Sequence, residues 1–245
     1  MSTNSMTIEG KTVLVTGANR GIGRALVDEV LSRGASRVYA GTRTPLSHTD
    51  GRVVPLTLDV TDRAQIRSAV EQVESLDILV SNAGVSLGGD LDRAVIDQHL
   101  AVNLFGTLDV IQTFLPLVID ARGAVVSVLS LAAVAAVPFD PNYSISKGAS
   151  LSLLQVLRGQ LSPRGVSVHA VLPGPVDTDM TRHLDLPKAS AESVAQAIVD
   201  GLERGDEEIF PDPMSAAIAD GWSGGVVKAL ERQFASYVEA DPVAS

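Results

Sequence analysis

The segment NYSISKGAS, residues 142–150, places one of the chain's three tyrosines four residues before a lysine, in a stretch that is otherwise polar and small. On a helix, positions i and i+4 share a face one turn apart, so Tyr143 and Lys147 would present a phenol and an ammonium to one point. A free phenol has a pKa of about 10 and is a poor acid-base catalyst at neutral pH. A neighbouring ammonium favours the phenolate, so Lys147 is expected to lower the Tyr143 pKa toward the working range.

Those two side chains need a frame, and the hydropathy pattern supplies one. Short β-rich apolar runs alternate with longer helical periodicities, as in an α/β protein whose parallel sheet is covered on both faces. Strands are expected at 12–16, 37–42, 53–58, 77–81, 124–129 and 166–172, with a weaker one at 207–210. Helices are expected at 23–34, ending at Gly34; at 62–74 behind Thr61 as N-cap; at 91–119, with Pro116 breaking or bending its end; at 143–161; and at 190–204 with Ser190 as N-cap. The remainder, residues 211–245, mixes helix breakers with one further helix and is the least legible part.

The first expected βα turn reads TGANRGIG, with Gly17, Gly21 and Gly23. A strand end opening a helix is where a phosphate meets unpaired helix N–H groups. The spacing G-x-x-x-G-x-G is neither the G-x-G-x-x-G fingerprint nor a P-loop, and a ligand-free packing turn is the bland alternative. Taken with NYSISKGAS, however, it resembles the short-chain dehydrogenase/reductase family, whose nucleotide turn reads T-G-x-x-x-G-x-G. LDV at 58–60, SNAG at 81–84 (Ser81 standing where the family has Asn), VNLFGT at 102–107, SVLSLAA at 127–133 and PGPVDT at 173–178 extend the resemblance, in family order, from residue 11 to about 180.

The resemblance implies a single Rossmann-fold domain over 1–245, doubly wound around a mostly seven-stranded parallel sheet, with a flexible lead at 1–10, a substrate loop at 175–189 and a variable C-terminal region from 211. It implies catalysis by Asn103, Ser130, Tyr143 and Lys147: Tyr143 as proton donor or acceptor, Ser130 holding the substrate oxygen, Lys147 also binding the nicotinamide ribose, and Asn103 supporting a water chain. The implied cofactor surface comprises Gly17, Asn19, Arg20, Gly21, Ile22 and Gly23 in the first turn, then Asp59 and Val60, Asn82, Ala83 and Gly84, and finally Pro173, Gly174, Val176 and Thr178. Asp59 could instead cap the following turn, and Asn82 could be a turn residue. Thr42 stands where an acidic residue preferring NAD would sit and Arg43 follows, so NADP(H) is the expected cofactor, with Arg20 as a second cation.

Candidate substrate walls beside Ser130 and Tyr143 are Leu131, Ala132, Val137, Pro138, Phe139, Pro175, Val176 and Met180, nearly all apolar. They point to apolar ketones, aldehydes or secondary alcohols. The competing readings are an idle NADP-binding regulator and an epimerase or dehydratase on the same fold. Four intact catalytic positions oppose the first, and the short remainder after Thr178 opposes the second.

Composition excludes other classes. A net charge of -10 with no basic cluster argues against nucleic-acid and anionic-membrane partners. No cysteine is present, which rules out thiolate metal sites and a Cys nucleophile. His48, His99, His169 and His183 lack ligand-like spacing, so no metal is expected. No leader and no run of about 18 apolar residues is evident, giving a cytoplasmic expectation. A homodimer through 91–119 and 143–161 is the expected assembly by resemblance.

Overall fold

All seven expected strands form: β1 Thr12–Thr16, β2 Arg37–Thr42, β3 Val53–Thr57, β4 Ile78–Ser81, β5 Ala124–Val128, β6 Ser167–Val171 and β7 Glu208–Ile209. This architecture comes from a computed structural model, which describes residues 6–44 and 46–238. The strands pair in the order β3-β2-β1-β4-β5-β6-β7, every neighbour parallel. The order reverses direction between β1 and β4, and the crevice above that reversal is where doubly wound sheets bind ligands.

Helices cover both faces because successive strand residues point to opposite sides. Val13, Val15, Val38, Ala40 and Val126 face α1 (Gly21–Ser32) and α6 (Ala191–Arg204). Leu14, Tyr39, Leu79, Val125 and Val168 face α2 (Arg63–Val70), α4 (Thr107–Asp120) and α5 (Pro141–Leu161). Each fully buried aliphatic side chain contributes roughly 1.5–3 kcal/mol, which holds the strand ends in register.

Several boundaries differ from the sequence expectation. Helix α2 is capped by Asp62, whose carboxylate accepts from the N–H groups of Ala64 and Gln65, and it ends at Val70 rather than near Glu74. Thr61 is instead held by Asp59. The expected helix at 91–119 is α3 (Arg93–Leu100, capped by Asp92), a π-helical turn at Ala101–Gly106, and α4. Pro116 does not end α4, because it lies on the exposed side, where water can satisfy the carbonyl it leaves unpaired. Taken together, Arg93–Asp120 has the length and hydropathy of a membrane span, 1.6 over its most apolar window. Its residues Val110, Ile111, Phe114 and Val118 are nevertheless packed into the protein core.

In the N-terminal lead, Ile8 is fully buried and the Gly10 N–H donates to the Gly34 carbonyl. The part of that lead before Met6 lies outside the described residues. Beyond β7 run α7 (Pro213–Ala216), α8 (Ala219–Ser223) and α9 (Val226–Ala235). Helix α9 brings Lys228 within 2.8 Å of Glu207 and of Glu208 and 3.1 Å of Glu231. Arg158 of α5 pairs with Glu208 and Glu231 in the same cluster.

Candidate active site

The glycine turn leaves β1 and opens α1 with two backbone positions that only glycine adopts without strain, Gly17 at φ 68° and Gly21 at φ 52°. Gly23 is required by contact: a Cβ there would lie 2.3 Å from the Gly17 carbonyl oxygen and 2.4 Å from Nδ2 of Asn82. Arg20 at the N-cap of α1 makes no side-chain cap bond, so the first N–H groups of the helix are available to an anion. Asn19 and Arg20 are exposed and Ile22 is half-buried. The Arg20 guanidinium, placed by sequence near a ribose phosphate, pairs at 2.8 Å with Asp179 of the loop at 175–189.

At the end of β2, Thr42 is buried and its hydroxyl donates to the Thr44 carbonyl, while Arg43 is exposed. Asp59 holds its own turn, its Oδ1 accepting from the N–H and the hydroxyl of Thr61 at 2.9 and 2.7 Å. Val60 is buried against Gly106 of the π-helical turn. Asn82 is a turn residue as well, its amide donating to the Thr16 and Gly17 carbonyls. Ser81, the departure from the family pattern, meets Thr107 Oγ1 at 3.3 Å. Ala83 packs beside Gly17, and Gly84 sits where a Cβ would be 3.2 Å from Oδ1 of Asn103 and 3.6 Å from Nζ of Lys147.

Ser130 follows β5 and caps a short 3₁₀ turn, Leu131–Ala133, by accepting from the Ala132 N–H at 3.1 Å. Tyr143 stands in the first turn of α5, with Lys147 Nζ 5.6 Å from its ring centroid. Lys147 is buried and donates at 2.9 Å to the Val128 carbonyl. Burial pushes the Lys147 ammonium down to about 8. The phenol moves opposite to the sequence expectation: burial pushes Tyr143 up to about 12, against a lowering from Ser130, and the Asp140 carboxylate adds to the rise. Desolvation disfavours the charged form of both groups and, at the phenol, outweighs the lowering by Ser130.

Asn103 lies in the π-helical turn and is almost fully buried. Its amide donates to the Val85 carbonyl at 3.0 Å and to Ser146 Oγ at 2.9 Å, and its Oδ1 accepts from the Val85 N–H at 2.9 Å. Asn103 thereby fixes the segment after β4 against α5. Two further residues brace the same region: Asn142, which sequence reasoning passed over, and His99, which it read as a structural or surface residue. Asn142 donates to the Asp90 carbonyl at 2.9 Å and accepts from the Asp92 N–H at 3.1 Å. His99 meets the Val95 carbonyl at 2.8 Å through Nδ1 and the Leu87 N–H at 3.1 Å through Nε2, with its ring edge-on to Tyr143. The available signals were adjacency to Tyr143 and the i, i+4 spacing of His99 and Asn103.

The expected substrate walls lie on the 3₁₀ turn after Ser130, the segment that follows it and the loop at 175–189. Leu131 and Ala132 follow Ser130, Val137 donates its N–H to Ser144 at 2.9 Å, and Pro138, Phe139 and Met180 are exposed. The loop at 175–189 closes on itself, since Val176 pairs with Ala189 and the Ala189 N–H donates to Pro175 at 3.1 Å. Val176 itself points into the core, and Thr178 packs on Gly21. Pro173 is buried at the end of β6, and the Gly174 N–H donates at 2.7 Å to Asp212 of the C-terminal region.

Glycine turn, buried asparagine and Ser-Tyr-Lys group thus collect at the carboxyl edge of one parallel sheet. The short chain dehydrogenase family model matches residues 11–189, and the chain belongs to that family. A 3-oxoacyl-[acyl-carrier-protein] reductase of Thermotoga maritima is 34% identical over 221 residues, covering 83% of this chain and 89% of that protein. A 3-ketodihydrosphingosine reductase of Bacteroides thetaiotaomicron is 30% identical over 76% of this chain and 71% of its own length. Among solved structures, a short chain dehydrogenase of Burkholderia cenocepacia in complex with NADP is 36% identical, with a TM-score of 0.85, covering 93% of this chain and 98% of that one.

Proposed function

We propose that the chain is an NADP(H)-dependent oxidoreductase acting on apolar ketones and aldehydes or the corresponding secondary alcohols. The observation that carries this reading is the gathering of Ser130, Tyr143 and Lys147 at the carboxyl edge of the sheet, with Lys147 Nζ 5.6 Å from the Tyr143 ring centroid.

Ser130 and Tyr143 would both donate to the substrate carbonyl oxygen, and Tyr143 would transfer its proton there as the oxygen becomes an alcohol. When bound, the nicotinamide supplies or accepts the hydride at the substrate carbon. Lys147 would stabilise the phenolate left on Tyr143 and hold the nicotinamide ribose, and Asn103 would fix the floor of the site and support the water chain that returns a proton. The glycine turn fits a pyrophosphate, because the uncapped start of α1 leaves N–H groups open to an anion, while Gly23 lets the helix pack tightly on the Gly17 carbonyl and Asn82 amide. Asp59, Val60, Asn82, Ala83 and Gly84 would form the adenine and ribose side, and Pro173, Gly174, Val176 and Thr178 the nicotinamide side.

NADP(H) is favoured over NAD(H) because Thr42 carries no carboxylate and Arg43 offers an exposed cation to a 2'-phosphate. The NADP complex of the Burkholderia cenocepacia relative supports the same choice. We place the enzyme in the cytoplasm as a homodimer through α4 and α5, whose flanks expose Phe105, Ile145 and Val156.

The test is oxidation of NADPH and of NADH, followed by absorbance, against a panel of apolar ketones and 3-oxoacyl thioesters, with Tyr143→Phe as control. The expected outcome is turnover of free ketones with NADPH that falls by about 10²–10⁴ in the variant. Turnover confined to carrier-linked thioesters would replace the apolar-ketone reading with the activity named for the Thermotoga relative.

A further inference from the structure

The pairing of β6 with β7 carries two turns off the sheet side by side. Leu172 donates its N–H to the Ile209 carbonyl at 2.8 Å, so Pro173 and Gly174 leave the sheet next to the run Pro211 to Met214. There the Asp212 carboxylate is almost fully buried and accepts from the N–H of Gly174 at 2.7 Å, the N–H groups of Met214 and Ser215 at 3.0 and 3.1 Å, and the Ser215 hydroxyl at 2.7 Å. Pro213 at the first helical position needs no N–H partner and sets the chain for α7. The fit is close: a Cβ on Gly174 would lie 2.9 Å from Oδ1 of Asp212 and 3.3 Å from both Cβ and Sδ of Met214. Met214 is 52% exposed, so its side chain lies at the surface of the turn that continues into the substrate wall at Pro175.

We propose that Asp212 is a positioning residue for the turn at Pro173 and Gly174 and that Met214 is a wall of the substrate pocket, so that the turn after β7 completes the active site. The proposal rests on the oxidoreductase reading above. A charge-assisted bond from a buried carboxylate fixes the Gly174 backbone, and with it the surface against which nicotinamide and substrate would align.

The decisive comparison is Asp212→Asn against Ser215→Ala. The first turns one acceptor oxygen into an NH₂ group; the second removes the Ser215 hydroxyl bonds but leaves the Gly174 bond in place. In the full-length protein, hydrogen exchange is expected to find the Gly174 amide of the wild type as protected as the β6 amides, and Asp212→Asn is expected to speed it about 10-fold. NADPH affinity, read by fluorescence titration, should weaken about 10-fold in Asp212→Asn and hold near wild type in Ser215→Ala. Met214→Ala should raise turnover of bulky over small ketones about 10-fold.

Fast exchange at Gly174 in the wild type, which requires no folded variant, would overturn the role of Asp212, as would equal behaviour of the two variants. An unchanged ketone-size profile in Met214→Ala would overturn the wall. A wild type that turns over neither ketones nor 3-oxoacyl thioesters removes the oxidoreductase reading and the Met214 wall with it, while exchange and titration still decide the pin at Asp212.

Discussion

Tyr143 and Lys147 shift in opposite directions for one reason, since burial penalises the phenolate of the first and the ammonium of the second. With Tyr143 at about 12 and Lys147 at about 8, the pair at neutral pH is a phenol beside a cation, the form that donates a proton to a carbonyl. Reduction is therefore expected to be level below a pH of about 8 and to fall above it as Lys147 loses its charge, and Lys147→Met should abolish that limb of the rate profile. The same shift bears on stability. Lys147 titrates lower folded than its ordinary 10.5, so between about 8 and 10.5 the unfolded chain binds more protons and stability rises with pH. Urea unfolding of wild type against Lys147→Met should find the wild type gaining on the variant across that window, and a constant gap would contradict the burial penalty. The i, i+4 spacing made this pair legible in the sequence. The sign of the Tyr143 shift was not, because spacing reveals neither how dry the phenol is nor that Nζ bonds to the Val128 carbonyl.

Elements with a strong period were legible almost to the residue. TVLVT and RVYAGT are β1 and β2 as read, and Ser190 caps α6 by accepting from the Ser193 N–H at 3.0 Å. Where two capping residues adjoin, as in Thr61-Asp62, sequence pointed to the wrong one, Thr61; Asp62 caps, and Asp59 engages Thr61. The π-helical turn was invisible in the hydropathy pattern, as was the close approach at its end, where a Cβ on Gly106 would come within 2.8 Å of Val60. Close packing also yields a prediction for the first βα element. Gly23→Ala would press a methyl group on the Gly17 carbonyl and the Asn82 amide together, two rigid groups that form the turn itself. The expected result is an NADPH affinity at least about 10-fold weaker, with a stability loss of about 1–3 kcal/mol from overpacking. Titration and urea melts separate the two effects, and retained affinity would mean that the turn does not cradle the dinucleotide.

At the scale of the whole molecule, the C-terminal region was read as breakers with one further helix, whereas its described residues form three, whose placement depends on contacts distant in sequence. What ties α9 to the domain is a buried charge cluster: the Lys228 side chain is 1% exposed, and Glu208 and Glu231, which it shares with Arg158, are 5% and 8% exposed. Burial pushes the half-buried Glu207 carboxyl up, but its bond to Lys228 and the neighbouring cations hold it below its ordinary value. Lys228→Met keeps the length of the side chain and removes the charge, leaving Glu208 and Glu231 to the Arg158 guanidinium and Glu207 to the more exposed Arg232, 3.9 Å away. Removing one partner from such a buried set costs about 3–5 kcal/mol, so the urea midpoint should fall substantially. Added salt should barely move the wild-type contribution, because buried pairs are screened little. The exposed pair of Arg93 and Asp97 offers the contrast, and Arg93→Met should alter stability by less than about 1 kcal/mol. If the two variants lose equally, the cluster contributes no more than a surface pair, and α9 is held instead by the packing of Ala235 and Val238 on Gly159.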